Sequence, residues 1–260
     1  MDIICSSWNM GKSMKSDITV CIHQPNFLPW IGFIHKVFLS DVFVILDDVM
    51  FSKQDYQNRN TILTANGPLQ LSVPVKSNPE RRYINNIEIS YQTNWRKKHL
   101  ESIYYSYKKA SYFQPFYERL EHIYDSDFVR LYDLNVAIIK CILDYLKINT
   151  KIVLSSNLGS ATGKTMRLVD ICEKLGASNY IYGGTADYMD RTLFYQKQIN
   201  LISQNFNHPT YSQMHSISFV SCLSIVDWIF QHPAEHIVSY LESERGKLSI
   251  DNQKYSSLVQ

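Results

Sequence analysis

The stretch His23-Gln24-Pro25-Asn26-Phe27-Leu28-Pro29-Trp30 puts an imidazole and two amides into a proline-punctuated turn that ends on an indole. An imidazole of ordinary pKa can exchange a proton near neutrality or hydrogen-bond a phosphate. Gln24 and Asn26 can each donate and accept, Trp30 can wall a ligand, and the prolines fix the direction of all of them. A plain connector would use Gly or Asp here. The apolar run 18–22 precedes the turn and the apolar run 30–39 follows it. Strand, turn and helix in that order place the motif at the carboxyl end of a strand, where α/β proteins hold ligands.

Other groups compete for roles beside it. Asp47 and Asp48 end the apolar run 42–46; one of them could orient His23, bind a ribose or hold a metal. Adjacent strand residues face opposite ways, so only one should enter a cleft. Lys53, Asn58, Arg59 and Asn60 lie in the polar loop 52–60, where an Arg fork suits a phosphate or carboxylate. Tyr182-Gly183-Gly184 follows another apolar run, and paired glycines let a ligand approach the backbone. His208-Pro209-Thr210-Tyr211-Ser212-Gln213 repeats the His-and-Pro chemistry further on. The segment from Gly159 to Thr165 resembles a phosphate loop but has three residues between its glycines, one short of the Walker pattern, and reads better as an ordinary helix start. Arg96, Lys97, Lys98, Lys108 and Lys109 interleave with Tyr104, Tyr105 and Tyr107, a pattern that could track a nucleic-acid backbone or simply be a solvated helix face.

The elements that must carry these groups follow from periodicity. Strands are predicted at 18–22, 42–46, 151–154, 180–182 and 199–206, and a hairpin at 59–64 and 69–75 around Ala65-Asn66-Gly67-Pro68. A short strand is predicted at 87–90. From Asn94, a candidate N-cap, to about 146 the pattern is helical, with breaks near 111–114 and 124–127. Helices are also expected at 165–175, closed by Gly176, and at 221–230 and 235–241. The fold class is therefore α/β: a Rossmann-like, mostly parallel sheet with a β-hairpin excursion and a helical middle block. The organisation expected is a flexible tail at 1–17, a single α/β domain at 18–242 with a helical insertion at about 94–147, and a frayed tail at 243–260.

Composition narrows the class. Apolar residues at 45% and charged residues at 19% describe a globular chain, and a net charge of +2 makes no case for nucleic acid. Cys5, Cys21, Cys141, Cys172 and Cys222 form no CxxC pair and no Cys/His cluster of metal-binding spacing, so no metal is expected and a reducing cytoplasm is. Cys141, Cys172 and Cys222 sit in apolar helical patterns. No run approaches the ~18 apolar residues of a membrane span, so no membrane insertion is expected.

The sequence resembles the WbqC-like family. The resemblance rests on His23-Gln24-Pro25, Pro29-Trp30, Gly32-Phe33, Lys36, Asp41, Phe43-Val44, Asp47-Asp48-Val49 and Asn58-Arg59. It resumes at Arg167-Leu168, Gly176-Ala177, Tyr182-Gly183, His208-Pro209, Tyr211, Gln213, Phe219, Leu223-Ser224-Ile225 and Asp227, spanning roughly 19–232. Met50 departs from it, standing where the family has Gln. The resemblance implies a place in surface-polysaccharide (O-antigen) assembly and an N-acyl or aminoacyl (glycyl) transfer onto the amine of a nucleotide-linked amino-deoxy sugar. On that reading His23 is the base, steered by Asp47 or Asp48, with His208 as substitute. Lys36 and Arg59 hold phosphates, and Gly183 and Gly184 offer N–H groups to an oxyanion. No cofactor is expected to be bound, but an activated donor is required: acyl-CoA, aminoacyl-tRNA or acyl-adenylate, with tRNA suggested by the basic helix. Nucleotidyl transfer or ATP-dependent ligation, and a non-catalytic nucleotide-sugar-binding module, stay open as alternatives.

Overall fold

The computed structural model describes residues 17–53, 55–77, 82–159, 161, 163–184, 189–247 and 249–250. Six strands form the main sheet: β1 (Thr19–His23), β2 (Val42–Ile45), β5 (Lys151–Leu154), β6 (Asn179–Tyr182), β7 (Asn200–Ser203) and β8 (Ser249–Ile250). They lie in the order β5-β2-β1-β6-β7-β8. The first five are parallel, and only β8 runs antiparallel, pairing Ile250 and Ser249 with Ile202 and Ser203. The chain builds outward from β1 through β2 to β5, then returns across β1 to lay down β6 and β7. The order therefore reverses between β1 and β6, and such a switch point leaves a crevice at the carboxyl ends of those strands. The hairpin β3 (Arg59–Thr64) and β4 (Gly67–Ser72) forms a separate two-stranded sheet.

The strands are apolar because both faces are covered. Cys21, Phe43, Ile45 and Ile181 face α1 (Ile31–Leu39) and the middle block α2 (Trp95–Tyr107), α3 (Phe113–Asp125) and α4 (Leu131–Tyr145). Val20, Ile22, Val44, Tyr180 and Tyr182 face α5 (Lys164–Lys174) and α6 (Arg191–Gln196). The last two helices, α7 (Val226–Gln231) and α8 (Ala234–Arg245), join the first of these cores. No helix among the described residues is long and apolar enough to cross a membrane.

Several boundaries differ from expectation for identifiable reasons. The strand expected to run to 206 stops at Ser203, because Asn205 takes a left-handed backbone (φ 40°). The helix expected from 221 begins at Val226: Cys222 is left-handed (φ 59°) and exposed, and the N–H groups of Ser224 and Ile225 bond to Thr61 and Pro29. The predicted strand 87–90 is reduced to single bridges, Val75 with Ile89 and Glu88 with Arg130. The Asn94 side chain does not cap α2. Gly176 does close α5, at φ 66°, with the Gly176 and Ala177 N–H groups bonding to the Glu173 and Cys172 carbonyls as in a Schellman cap. Instead of fraying from Ser243, the chain stays helical to Arg245, with Glu244 buried, and then forms β8. The expected flexible tail at 1–17 lies outside the described residues except for Asp17, whose carboxylate accepts from Asn179.

Candidate functional site

At the switch point a cavity of about 440 Å³ opens between the end of β1 and the segments that follow β6 and β7. His23 forms its floor, Trp30 and Lys36 come from the start and middle of α1, and Gly184, Gln204 and Phe206 close the far side. The Trp30 ring can lie along α1 only because residue 32 is glycine: a Cβ there would stand 2.3 Å from Trp30 Cη2. Phe206 meets the indole edge-on, with ring centroids 5.3 Å apart.

His23 ends β1 on the same face as Cys21, with its ring edge-on to Phe33 at 5.2 Å. Its Nδ1 lies 2.9 Å from the Gln24 carbonyl oxygen. A carbonyl only accepts, so Nδ1 carries the proton and Nε2 keeps its lone pair. Burial, and secondarily the nearby Lys36 ammonium, push the imidazole down to about 4, below the near-neutral value expected from sequence. Lys36 itself has no ion-pair partner among the described residues. It lies against the backbone of Gly183, where a Cβ would come within 2.5 Å of its Cε and 2.6 Å of its Nζ. An ammonium without an ion-pair partner among the described residues, beside a neutral imidazole at the carboxyl end of a parallel sheet, is an environment for an anionic oxygen.

The remaining predicted groups divide sharply. Asp47 and Asp48 do not orient His23. Asp47 Oδ1 accepts from the Ser155 hydroxyl and the Ser156 N–H, both at 3.0 Å, and Asp48 pairs with Arg167 at 2.9 Å. His208 cannot substitute as base: its Nδ1–H donates to the Pro209 carbonyl at 2.8 Å and its Nε2 accepts from the Cys222 N–H at 3.1 Å. Both nitrogens are occupied, and the ring stacks on Trp30. Tyr211 and Gln213 donate to buried Asp227, at 3.0 and 3.2 Å, which also accepts from Tyr107 at 2.7 Å. Tyr182 faces the other core, with Arg191 over its ring. Of the paired glycines, Gly183 and Gly184 are at the cavity as expected.

The 52–60 loop is a brace. Gln57 donates to Gln24 Oε1 at 2.7 Å, Asn135 on α4 donates to the Gln57 and Pro25 carbonyls, and Asn60 donates to the Leu28 carbonyl at 2.7 Å. These amides hold the turn containing Leu28, itself left-handed at φ 42°. Asn26 is buried within it and Asn58 donates to the Val73 carbonyl. Arg59 donates to the Lys53 carbonyl, Lys53 is exposed, and neither lines the cavity. On α2, Arg96 is bound to Asp127 and the Tyr124 and Ser126 carbonyls, Lys97 pairs with Glu101, and Lys108 rests over Tyr104 and Tyr105. A broader hollow of about 580 Å³ between α3 and α4 has its Arg119 and Asp144 paired to each other. Among the described residues no group of three His, Cys, Asp or Glu side chains is placed to hold a metal ion.

Gln204 and Phe206 were not singled out from the sequence, which placed both inside the strand expected at 199–206 rather than in the segment beyond its end. Comparison with known proteins fits this picture. The chain is 30% identical over 219 residues to the uncharacterized protein Rv1507c of Mycobacterium tuberculosis (strain ATCC 25618 / H37Rv), covering 83% of this chain and 94% of that one. No solved structure matches it. The WbqC-like protein family matches residues 24–239, from the glutamine beside His23 through the first half of α8, and the chain belongs to that family.

Proposed function

We propose that the protein is an N-acyltransferase or aminoacyltransferase that modifies the amino group of a nucleotide-linked amino-deoxy sugar for surface-polysaccharide (O-antigen) assembly in the cytoplasm. The observation that carries this reading is that His23, whose Nε2 makes no hydrogen bond among the described residues, and Lys36, without an ion-pair partner there, line one cavity at the switch point. Lys36 would hold a phosphate oxygen of the nucleotide. The sugar amine attacks the donor carbonyl, a C–N bond forms, and one amine proton passes to His23 Nε2. The carbonyl's bond to the sulfur or oxygen of the leaving group then breaks, and His23 returns the proton to that group. A bound phosphate offsets the Lys36 charge and so makes His23 a better base when substrate is present. Gly183 and Gly184 supply the backbone next to the developing oxyanion. The donor is an acyl-CoA, an acyl-adenylate or an aminoacyl-tRNA; pairing of the α2 cations favours the first two over tRNA.

Incubating the protein with nucleotide-linked amino sugars and each donor, then weighing the product, tests this directly. A mass gain of an acyl or glycyl group is the expected result. Release of AMP or pyrophosphate from added ATP, with no acyl-adenylate supplied, would instead transfer the assignment to a ligase or nucleotidyltransferase. The low basicity of free His23 favours one other reading, a binding module in which the imidazole accepts from a sugar hydroxyl. His23→Ala separates the two: turnover lost with binding kept supports catalysis, whereas loss of binding alone supports the module.

A further inference from the structure

Gln204 lies in the cavity wall one residue past β7. Its Nε2 stands 2.7 Å from the Gly32 carbonyl oxygen, which fixes the amide orientation, because only a donor can face a carbonyl. The same nitrogen is 3.1 Å from His35 Nδ1. That contact makes Nδ1 an acceptor and puts the His35 proton on Nε2, which is buried without a hydrogen-bond partner. Both donors of the amide are therefore spent on the protein, and its oxygen remains. Oε1 lies 2.9 Å, and Lys36 Nζ 2.6 Å, from the point where a Cβ on Gly183 would stand. A fixed acceptor and a cationic donor thus lie close together against the Gly183 backbone and both line the cavity, the cation without an ion-pair partner among the described residues.

We infer that Gln204 is a specificity residue that accepts a hydrogen bond from an N–H or O–H of the ligand, while Lys36 binds a neighbouring anionic or acceptor oxygen. This rests on the reading of the cavity as a nucleotide-sugar site. It makes the sugar amine the group Gln204 recognises. An amine has a second proton to offer, so one N–H can face Gln204 while the other faces His23, leaving the lone pair aimed at the donor. A deoxy sugar at that position would leave Oε1 unpaired, the kind of loss by which hydrogen-bonding sites reject analogues.

The test is calorimetric titration of wild type and Gln204→Met with UDP-glucosamine, dTDP-4-amino-4,6-dideoxyglucose, their deoxy counterparts lacking the amine, and UDP and dTDP alone. The expected result is about a tenfold loss of affinity in Gln204→Met for an amino-sugar nucleotide, with less than about a twofold change for the bare nucleotides and the deoxy sugars. Equal losses for sugar nucleotides and bare nucleotides would reduce Gln204 to a wall and overturn the inference. If the amino-sugar nucleotides bind and Gln204→Met binds them as well as wild type, this inference alone falls; if none binds wild type at millimolar concentration, the cavity reading falls with it. Ring 15N shifts of His35 in the free protein give an arm that needs no ligand: Nε2–H is expected, and Nδ1–H overturns the amide orientation.

Discussion

His23 and His208 are the same motif in sequence, an imidazole beside a proline-bearing turn after a strand, yet the fold treats them oppositely. His23 spends one nitrogen on the Gln24 carbonyl and leaves the other open to a cavity. His208 spends both, on Pro209 and Cys222, and stacks on Trp30. The same split separates the cations: among the described residues Lys36 has no ion-pair partner, whereas Arg96, Arg119 and Arg167 are paired. Residue type proposes chemistry, but the count of unspent donors and acceptors decides which residue is free to perform it.

The largest expected effect comes from breaking that contrast at its centre. His23→Ala should reduce turnover at least ~100-fold while the protein stays folded. His208→Ala should instead lower the unfolding midpoint, by a loss on the order of 1–3 kcal/mol for two hydrogen bonds, with much smaller kinetic effects in the protein that remains folded. An inactive His208→Ala of wild-type stability would invert the assignment. Next in size, Gly183→Ala should push the Lys36 ammonium off its seat and weaken a pyrophosphate-bearing ligand ~10-fold or more, read by titration beside Lys36→Met. A variant that binds normally would show the ammonium is not what holds the anion.

The pH dependence of stability sharpens the comparison further. His23, His35 and His99 are each pushed down to about 4, chiefly by burial. Their stabilising neutral state is present in full above the unfolded value near ~6.5 and is lost as pH falls toward 4, where the unfolded chain takes up protons first. Urea unfolding should therefore weaken across that window, with up to three protons linked; a flat profile would contradict their burial as neutral groups. Asp227 works in the other sense. Burial raises its carboxyl, against the donors Tyr107, Tyr211 and Gln213, so its contribution is best at low pH and declines as it ionises. Asp227→Asn should remove that opposing acid-range trend from the profile, at a cost on the order of 1–3 kcal/mol because its new amide faces a donor among Tyr107, Tyr211 and Gln213.

Much of the fold was legible in the sequence because parallel strands buried on both faces must be apolar runs, as at 42–45 and 179–182. The hairpin was legible from its turn, where Gly67 takes φ 99°. What stayed hidden was partnership across distance. The acid at 47 is taken by Ser155 and the acid at 48 by Arg167, each over a hundred positions on, and Gln204 is oriented by Gly32, separated from it by 172 positions. Lys36 had no signal of its own and entered through the family resemblance. Local pattern foretold the strand ends that build the rim, but the fate of each polar group was set by long-range contacts that pattern does not encode.

The short strand β8 has a practical bearing on all of this. Its two residues shield the outer margin of β7 and stop one position before Gln204. Clipping the chain after Lys247 would bare unpaired amides and carbonyls along that margin, an invitation to stick to another molecule's strand. The expected signature is self-association on a sizing column together with a slackened ligand wall, so anyone trimming this protein for crystals should leave its far end alone.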